Sequence, residues 1–338
     1  MRRALALLMA IWLAVPAAAD TIHRSGPMPE PLYVGQIQFN VTIRAQMSRE
    51  AEAVGYYSTG DRVYILDYEP EWLHVVKGED GDWMEGYILR HAVDDVKRLA
   101  EDILPYGTTP AAYSARIVQD TPLYLEPDED ATPFFILKEG SRLAVLAIED
   151  GWAQVIYWRQ YGYFRVDDAV ADLTPVYDPD AAVSGDTMAA FHSFYNISTD
   201  SLNLNRMHNI AQACEYISIP LASGDAFAFN SVAGPYRYSR GYLDGMSYFE
   251  GEAVLSVGGG TCQVSSTLYN VLLALDEGIS VLYRRAHGPS GATYLPHGVD
   301  AAVGSDTLDL RFRNDFDFSV RIQAESCGGV LYIAMLKE

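Results

Sequence analysis

The chain divides by the rhythm of its apolar positions. Over its first half, short runs such as "RVYILDY" and "RLAVLAI" are apolar and partly alternating, and turns such as "EPEW" and "IEDGW" close them. Runs of that length and pattern predict short β-strands. Beyond about residue 187 the rhythm lengthens. "LNRMHNIAQACEYI" sets Ile210, Ala213, Cys214 and Ile217 at helical spacing, which predicts a helix with Cys214 turned into a core. "GDAFAFN" reads as a strand and "SYFEGEAVLSV" as one or two more. Val264, Leu268, Val271, Leu272 and Leu275 then restore the helical period, with Gly278 as its C-terminal stop. Two segments read as connections: "DDVKRLAEDIL" (94–104) as a short linking helix, and the Pro-, Asp- and Gly-bearing "TPVYDPDAAVSGD" (174–186) as a boundary.

The strand-rich half repeats itself. Gly60 and Arg62 recur as Gly140 and Arg142, Trp72 as Trp152, Val75 as Val155 and Ile43 as Leu123, all offset by 80 positions. A Gly-Tyr strand at Gly86 recurs slightly out of step at Gly162. Two copies of one unit with several short strands each suggest two small barrels, over 36–98 and 113–175. The pattern resembles bacterial SH3-like domains. That resemblance implies cell-wall binding, which would tether a following domain to its substrate; a plain structural spacer is the competing reading. His74 and His91, inside the first unit, are assigned no chemistry.

Residues 1–19 read as a secretory signal peptide: Arg2 and Arg3, an apolar run, then Ala17-Ala18-Ala19. No cysteine follows the run, so a lipid anchor is not expected, nor is a membrane span in the mature chain. Extracytoplasmic placement, in the cell wall or periplasm, follows. The 338 residues carry 45 Asp and Glu against 24 Lys and Arg, a formal net charge of -21 that disfavours nucleic acid and anionic lipid as partners. The length suggests two or three domains. Cys214, Cys262 and Cys327 are an odd set for an oxidising compartment, leaving at least one thiol unpaired; a Cys214–Cys327 bridge is left open.

The chemistry concentrates in "VGGGTCQVSSTLYNVLLALDEG", residues 257–278. Cys262 falls in the first turn of the expected helix, where unpaired backbone N–H groups and the helix dipole favour an anion. Gly258, Gly259 and Gly260 can turn sharply and present successive N–H groups as an oxyanion hole. A nucleophile so placed suits acyl transfer, whereas the same string as a mere turn before a buried cysteine is the structural alternative. No lysine follows the glycines, so a phosphate loop is a poor fit. The domain's histidines are His192, His208, His287 and His297. His287, in "YRRAHGPSGATYLPHGVDAAV", lies in a loop with Asp300 as the group to orient it, and His297 is its rival. No H-x-x-x-H or C-x-x-C spacing appears, so neither a metal nor another cofactor is expected.

"NRMHNIAQA", "GDAFAFNSVAGP", "RGY", "GGGTCQVSSTLYN" and "PHGVDAAV", in that order over about 200–336, resemble the VanW family. The resemblance implies an α+β domain with an antiparallel sheet over 187–338, and peptidoglycan as the partner. It also implies L,D-transpeptidase action. Cys262 would be the nucleophile on the third stem residue, releasing D-Ala for a 3–3 cross-link, with His287 as base and Asp300 as its orienter. Arg206, Arg240, Tyr269 and Asn270 lie in matched motifs as candidate substrate binders, although a structural ion pair suits either arginine equally. Gly288 stands where the family often has serine and Ala302 where it often has threonine. A non-catalytic wall-binding accessory protein and a cysteine amidase or endopeptidase of the same polymer are the alternatives. Oligomeric state is not legible.

Overall fold

The structure, a computed structural model, describes residues 24–167, 171–249, 252–288 and 291–338. The expected signal peptide lies outside them. The first unit comprises β1 (Tyr33–Ile37), β2 (Val41–Arg44), β3 (Ala53–Tyr57), β4 (Arg62–Tyr68), β5 (Trp72–Glu79), β6 (Asp82–Leu89) and β7 (Val93–Arg98). They pair antiparallel in the order β3-β2-β6-β5-β4-β1-β7. The second unit comprises β8 (Tyr113–Ile117), β9 (Thr121–Leu123), β10 (Phe135–Leu137), β11 (Arg142–Val145), β12 (Ala147–Glu149), β13 (Trp152–Tyr157), β14 (Gln160–Arg165) and β15 (Ala171–Pro175). Its pairings copy the first: β8 takes β11 and β15 as β1 takes β4 and β7, and β13 takes β14 as β5 takes β6. Gly60 and Gly140 repeat the same turn, each at positive φ and each donating its N–H to a strand-end carbonyl, Ile37 or Ile117, at 2.8 Å.

The expected barrels are not closed. Among the described residues the first unit is one open sheet with β3 and β7 at its edges, and the second is divided among three small sheets. The expected linking helix is also absent, because β7 occupies its first half. Val93 and Val96, three apart, both face Gly35, where an added Cβ would lie 2.5 and 3.1 Å from their methyl groups. A bulge against β1, with Asp95 at φ +50°, turns both valines to one side. That i, i+3 spacing imitates a helix face.

The third unit contains β16 (Thr187–Phe194), α1 (Ser201–Ile217), β17 (Pro220–Leu221), β18 (Ala226–Ala228), α2 (Phe229–Ala233), β19 (Asp244–Phe249), β20 (Glu252–Val257), α3 (Thr261–Leu273), β21 (Ile279–Arg284), β22 (Leu310–Asn314), β23 (Val320–Cys327) and β24 (Val330–Lys337). Its main sheet runs β16-β24-β23-β17, with β18-β22-β21 and the β19-β20 hairpin beside it. The Asp200 carboxylate caps α1 by accepting from Asn203 N–H at 2.9 Å, and Ile210, Ala213, Cys214 and Ile217 are buried as the spacing predicted. α3 is buried on nearly every side, the state of a central helix rather than a surface one. Its Val264, Leu268, Val271 and Leu272 share a core with α1 and with Leu331 and Ile333 of β24. The molecule is thus mostly β, with few helices and antiparallel sheets.

The units share cores. Phe194 and Val330 of the third unit are buried with Leu123, Leu143 and Phe164 of the second. His192 bridges the same seam: Ala144 N–H donates to its Nδ1 at 3.1 Å, and Nε2 lies 2.9 Å from the Ile156 carbonyl. Burial lowers its pKa to about 4, so the ring is neutral with its tautomer set by those two partners. The first unit meets the third through Arg98 with Asp276 at 2.7 Å, and through the Thr108 hydroxyl donating to the Leu273 carbonyl at 3.2 Å.

Candidate active site

Three consecutive glycines bring β20 into α3. Gly258 (φ +87°) and Gly260 (φ +112°) occupy the left-handed region that L side chains avoid. A Cβ on Gly259 would lie 2.5 Å from the backbone carbon of Gly245 and 2.6 Å from its oxygen. The turn is therefore a close approach of two backbones as well as a sharp bend. Gly258 N–H donates to the Leu243 carbonyl at 3.0 Å, and the N–H groups of Thr261 and Gln263 donate to the carbonyls of Gly258 and Gly260. Cys262 is the second residue of α3, half-buried, and a free thiol, as are Cys214 and Cys327. The bridge left open between those two is not formed. Burial raises the pKa of Cys214 and keeps it protonated.

The Cys262 sulfur is bracketed by one backbone residue: Sγ lies 3.4 Å from the Val303 carbonyl and 3.5 Å from Val303 N, which donates to it. Its side-chain neighbour is His287. The imidazole Nδ1 sits 2.5 Å from Asp300 Oδ2, and His287 N–H donates to that same oxygen at 2.7 Å. The Cys262 thiol also bears on the ring, through a hydrogen bond and through its charge. Burial disfavours the charged ring, but the hydrogen bonds to Asp300 and Cys262 and the charges on both outweigh it, raising the His287 pKa to about 10. For Asp300, burial acts upward, yet the two hydrogen bonds from His287 and the nearby Arg284 hold its carboxyl below the usual range. Arg284 Nη2 stands 3.7 Å from Asp300 Oδ1. Cys262, His287 and Asp300 therefore form a continuous line of thiol, imidazole and carboxylate.

The stretch after the cysteine holds that line in place. The Ser265 hydroxyl donates to the Ala301 carbonyl at 2.6 Å, Ser266 Oγ accepts from Ala301 N–H at 2.9 Å, and the Asn270 amide donates to Val299 O at 2.8 Å. The guanidinium of Arg284 lies over the Tyr269 ring at 4.8 Å and donates to the carbonyls of Asp300 and Gly298, both at 2.7 Å. Tyr269 and Asn270 thus engage the 298–301 segment that carries Asp300. Gln263 pins the start of α3 to β16, donating to Ser193 Oγ at 2.9 Å and to the Phe194 carbonyl at 3.0 Å. Arg206 meets the same glutamine, Nη2 to Oε1 at 2.6 Å, beside Gly260. Arg240 donates to Val232 O at 2.9 Å and lies over the Tyr216 ring at 3.9 Å, an intrachain role.

Asp300 pairs with His287 rather than with His297, whose ring lies 6.0 Å from that of His91. The ring of His208 bonds Gly241 O at 2.8 Å, and His192 is locked in the seam. Tyr236 and Tyr294 were not legible as site residues. Both are half-buried in the core that also takes in Cys262, and burial raises the pKa of each. The Tyr236 hydroxyl donates to Asn230 Oδ1 at 2.8 Å, and that oxygen also accepts from Gly304 N–H, next to Val303. Among the described residues no cluster of His, Cys, Asp and Glu could hold a metal ion, and no helix is long and apolar enough to cross a membrane.

The sequence profile described as "VanW like protein" matches residues 205–336, which include every residue of this line. Residues 205–336 are a VanW-like domain. The chain is 30% identical over 194 residues to the "Uncharacterized protein YoaR" of Bacillus subtilis (strain 168), covering 54% of this chain and 61% of that one. It is 27% identical over 123 residues to the "Vancomycin B-type resistance protein VanW" of Enterococcus faecalis (strain ATCC 700802 / V583), covering 35% of this chain and 44% of that one. The chain thus spans less than two thirds of the length of either relative. Among solved structures, an NlpC/P60 family protein from Bacillus cereus ATCC 10987 aligns over 42% of this chain and 56% of that one, at 11% identity. Its TM-score of 0.17 is too low for that likeness to carry an argument.

Proposed function

We propose that the chain is an exported cell-wall protein whose VanW-like domain is a cysteine acyltransferase, an L,D-transpeptidase of peptidoglycan stem peptides. The observation that carries the reading is the alignment of the Cys262 sulfur, the His287 ring and the Asp300 carboxylate at the glycine-bounded start of α3. The Enterococcus faecalis relative is named for resistance to vancomycin, a drug of the cell wall, which favours that polymer as substrate. Two SH3-like units, each keeping the pairings of the other, would hold the domain on the wall. Extracytoplasmic placement follows from the N-terminal pattern of Arg2, Arg3 and the apolar run.

The chemistry would run as follows. Cys262 gives its proton to His287, and the imidazolium so formed is held by Asp300. The sulfur attacks the carbonyl of the third stem residue. Negative charge develops on that oxygen, which faces the backbone amides of Gly259, Gly260 and Cys262 at the helix start; Gly258, its amide committed to Leu243, shapes the bend. The carbon–nitrogen bond breaks, D-Ala leaves with the proton from His287, and a thioester remains. The side-chain amine of a second stem then attacks. His287 takes its proton, the carbon–sulfur bond breaks, and the thiol is restored with a 3–3 cross-link formed. Arg206, beside Gly260, suits a substrate carboxylate.

Purified protein incubated with tetrapeptide muropeptides should release D-Ala and form 3–3 dimers by mass spectrometry, and Cys262→Ala should do neither while remaining folded. Shortened stems without dimers would mark a hydrolase, and no change with either protein would mark a non-catalytic wall protein.

A further inference from the structure

The second unit places a large aromatic ring where the backbone disfavours one. β13 and β14 form a hairpin whose last pair is Tyr157 with Gln160, so Trp158 and Arg159 are its two turn residues. Trp158 sits at φ +57°. Hairpin turns reserve that conformation for Gly, Asn or Asp, and a bulky side chain there is an outlier. The ring is not hidden to compensate. Trp158 is 43% exposed and lies parallel to Tyr157, with ring centroids 5.4 Å apart and planes within 4°. Backbone strain at a part-exposed aromatic ring points to a ligand for that ring.

A recess of about 280 Å³ adjoins it, lined by Trp158, Arg159, Gln160, Glu71 and Thr293. All three units contribute: Glu71 from the first, the hairpin from the second and Thr293 from the VanW-like domain. Arg159 fixes the join by donating to the carbonyls of Ala292 at 3.3 Å and Leu295 at 3.4 Å. That loop leads back to the site, since a Cβ on Gly291 would lie 3.6 Å from Asp300 Oδ1. The recess therefore lies along the same loop that borders the thiol–imidazole–carboxylate line.

Its chemistry selects the class of occupant. The Trp158 ring is bordered by an amide, a hydroxyl, a carboxylate and a guanidinium, and among the described residues lining the recess it is the one large apolar side chain. An apolar peptide side chain would want enclosure on several sides. A pyranose ring has a C–H face to lay on an indole and a rim of hydroxyl and acetamido groups for the polar border. The volume is small for a ligand pocket and suits a sugar ring better than a stretch of peptide. We infer that this three-unit recess binds the amino-sugar strand of the wall polymer while the stem peptide reaches Cys262. The choice of strand rests on the proposed wall function; the site itself rests on Trp158 and its polar border.

The test uses the full chain carrying Cys262→Ala, with and without Trp158→Gly, and soluble glycan strands stripped of their stem peptides as the probe. Glycine is unstrained at φ +57°, so the double variant should melt no lower than its parent. The parent should bind the stripped strands, and Trp158→Gly should weaken binding by about tenfold or more, as loss of an aromatic anchor does. A second variant, Gln160→Ala, should weaken it in the same sense. Equal binding by parent and Trp158→Gly, or no binding by the parent, would overturn the assignment. Because the probe has no stem and the protein no thiol at 262, Trp158-dependent binding without D-Ala release from the wild type would leave the glycan site standing and remove only the acyl-transfer proposal.

Discussion

At the residue scale the site is an electrostatic chain. Asp300 fixes His287 through two hydrogen bonds to one oxygen, and the Cys262 thiol bears on the same ring. The raised His287 pKa has causes that can be removed singly. Cys262→Ala takes away one hydrogen bond and one charge, and Asp300→Asn takes away another charge. Each should lower the imidazole titration seen by NMR from about 10 toward the ordinary value. An unmoved titration in both variants would break the link. A histidine whose folded pKa is raised stabilises fully below its unfolded value near 6.5, and that contribution fades as pH rises toward 10. The stability lost on His287→Gln, measured by denaturant melts, should therefore be larger at pH 6 than at pH 10. Asp300→Asn should also cut D-Ala release by on the order of 10³-fold or more, through a misheld ring. The position of Cys262 was legible because three glycines and a helical period announce a bent helix start. The choice between His287 and His297 was not, because it depends on which ring the loop folds onto Asp300. Tyr236 and Tyr294 come to the sulfur from distant sequence and leave no local signal.

At the element scale, α3 organises the domain. Its serines and asparagine clamp the segment that carries Asp300, so a string that reads as chemistry is largely scaffolding around the proposed nucleophile. Ser266→Ala leaves Ala301 N–H without its partner in a buried place and should cost about 1–3 kcal/mol in denaturant melts. Gly259→Ala drives a Cβ into the Gly245 backbone and should cost a similar ~1–3 kcal/mol or more. A variant as stable as wild type would show that the two backbones can part. Helix periods were read correctly where burial and spacing agree, as in α1 and α3. They misled at 94–104, where the bulge at Asp95 puts Val93 and Val96 on one face of a strand. Pairing with β1 decided that segment, and β1 lies some sixty residues earlier.

At the scale of the whole molecule, the repeat was visible in matched glycines and tryptophans, but its sheets were not, since the second copy spends part of its core on the third unit. Phe194 and Val330 are buried there, and His192 takes both its partners from the second unit. Residues 187–338 expressed alone should therefore melt lower than the full chain and expose new apolar surface to a dye; equal melting would show that the seam contributes nothing. That seam keeps the hairpin of Trp158 beside the loop of Asp300, so the proposed glycan recess and the proposed acyl-transfer site would move as one body. The acyl-enzyme itself gives the most direct measurement: intact-protein mass spectrometry after brief mixing with a disaccharide-tetrapeptide. The spectrum should gain the mass of the donor less D-Ala, the adduct should map to the peptide holding Cys262, and Cys262→Ala should show none. An unmodified wild-type protein with the tetrapeptide intact, or an adduct that survives in Cys262→Ala, would contradict acyl transfer by this thiol.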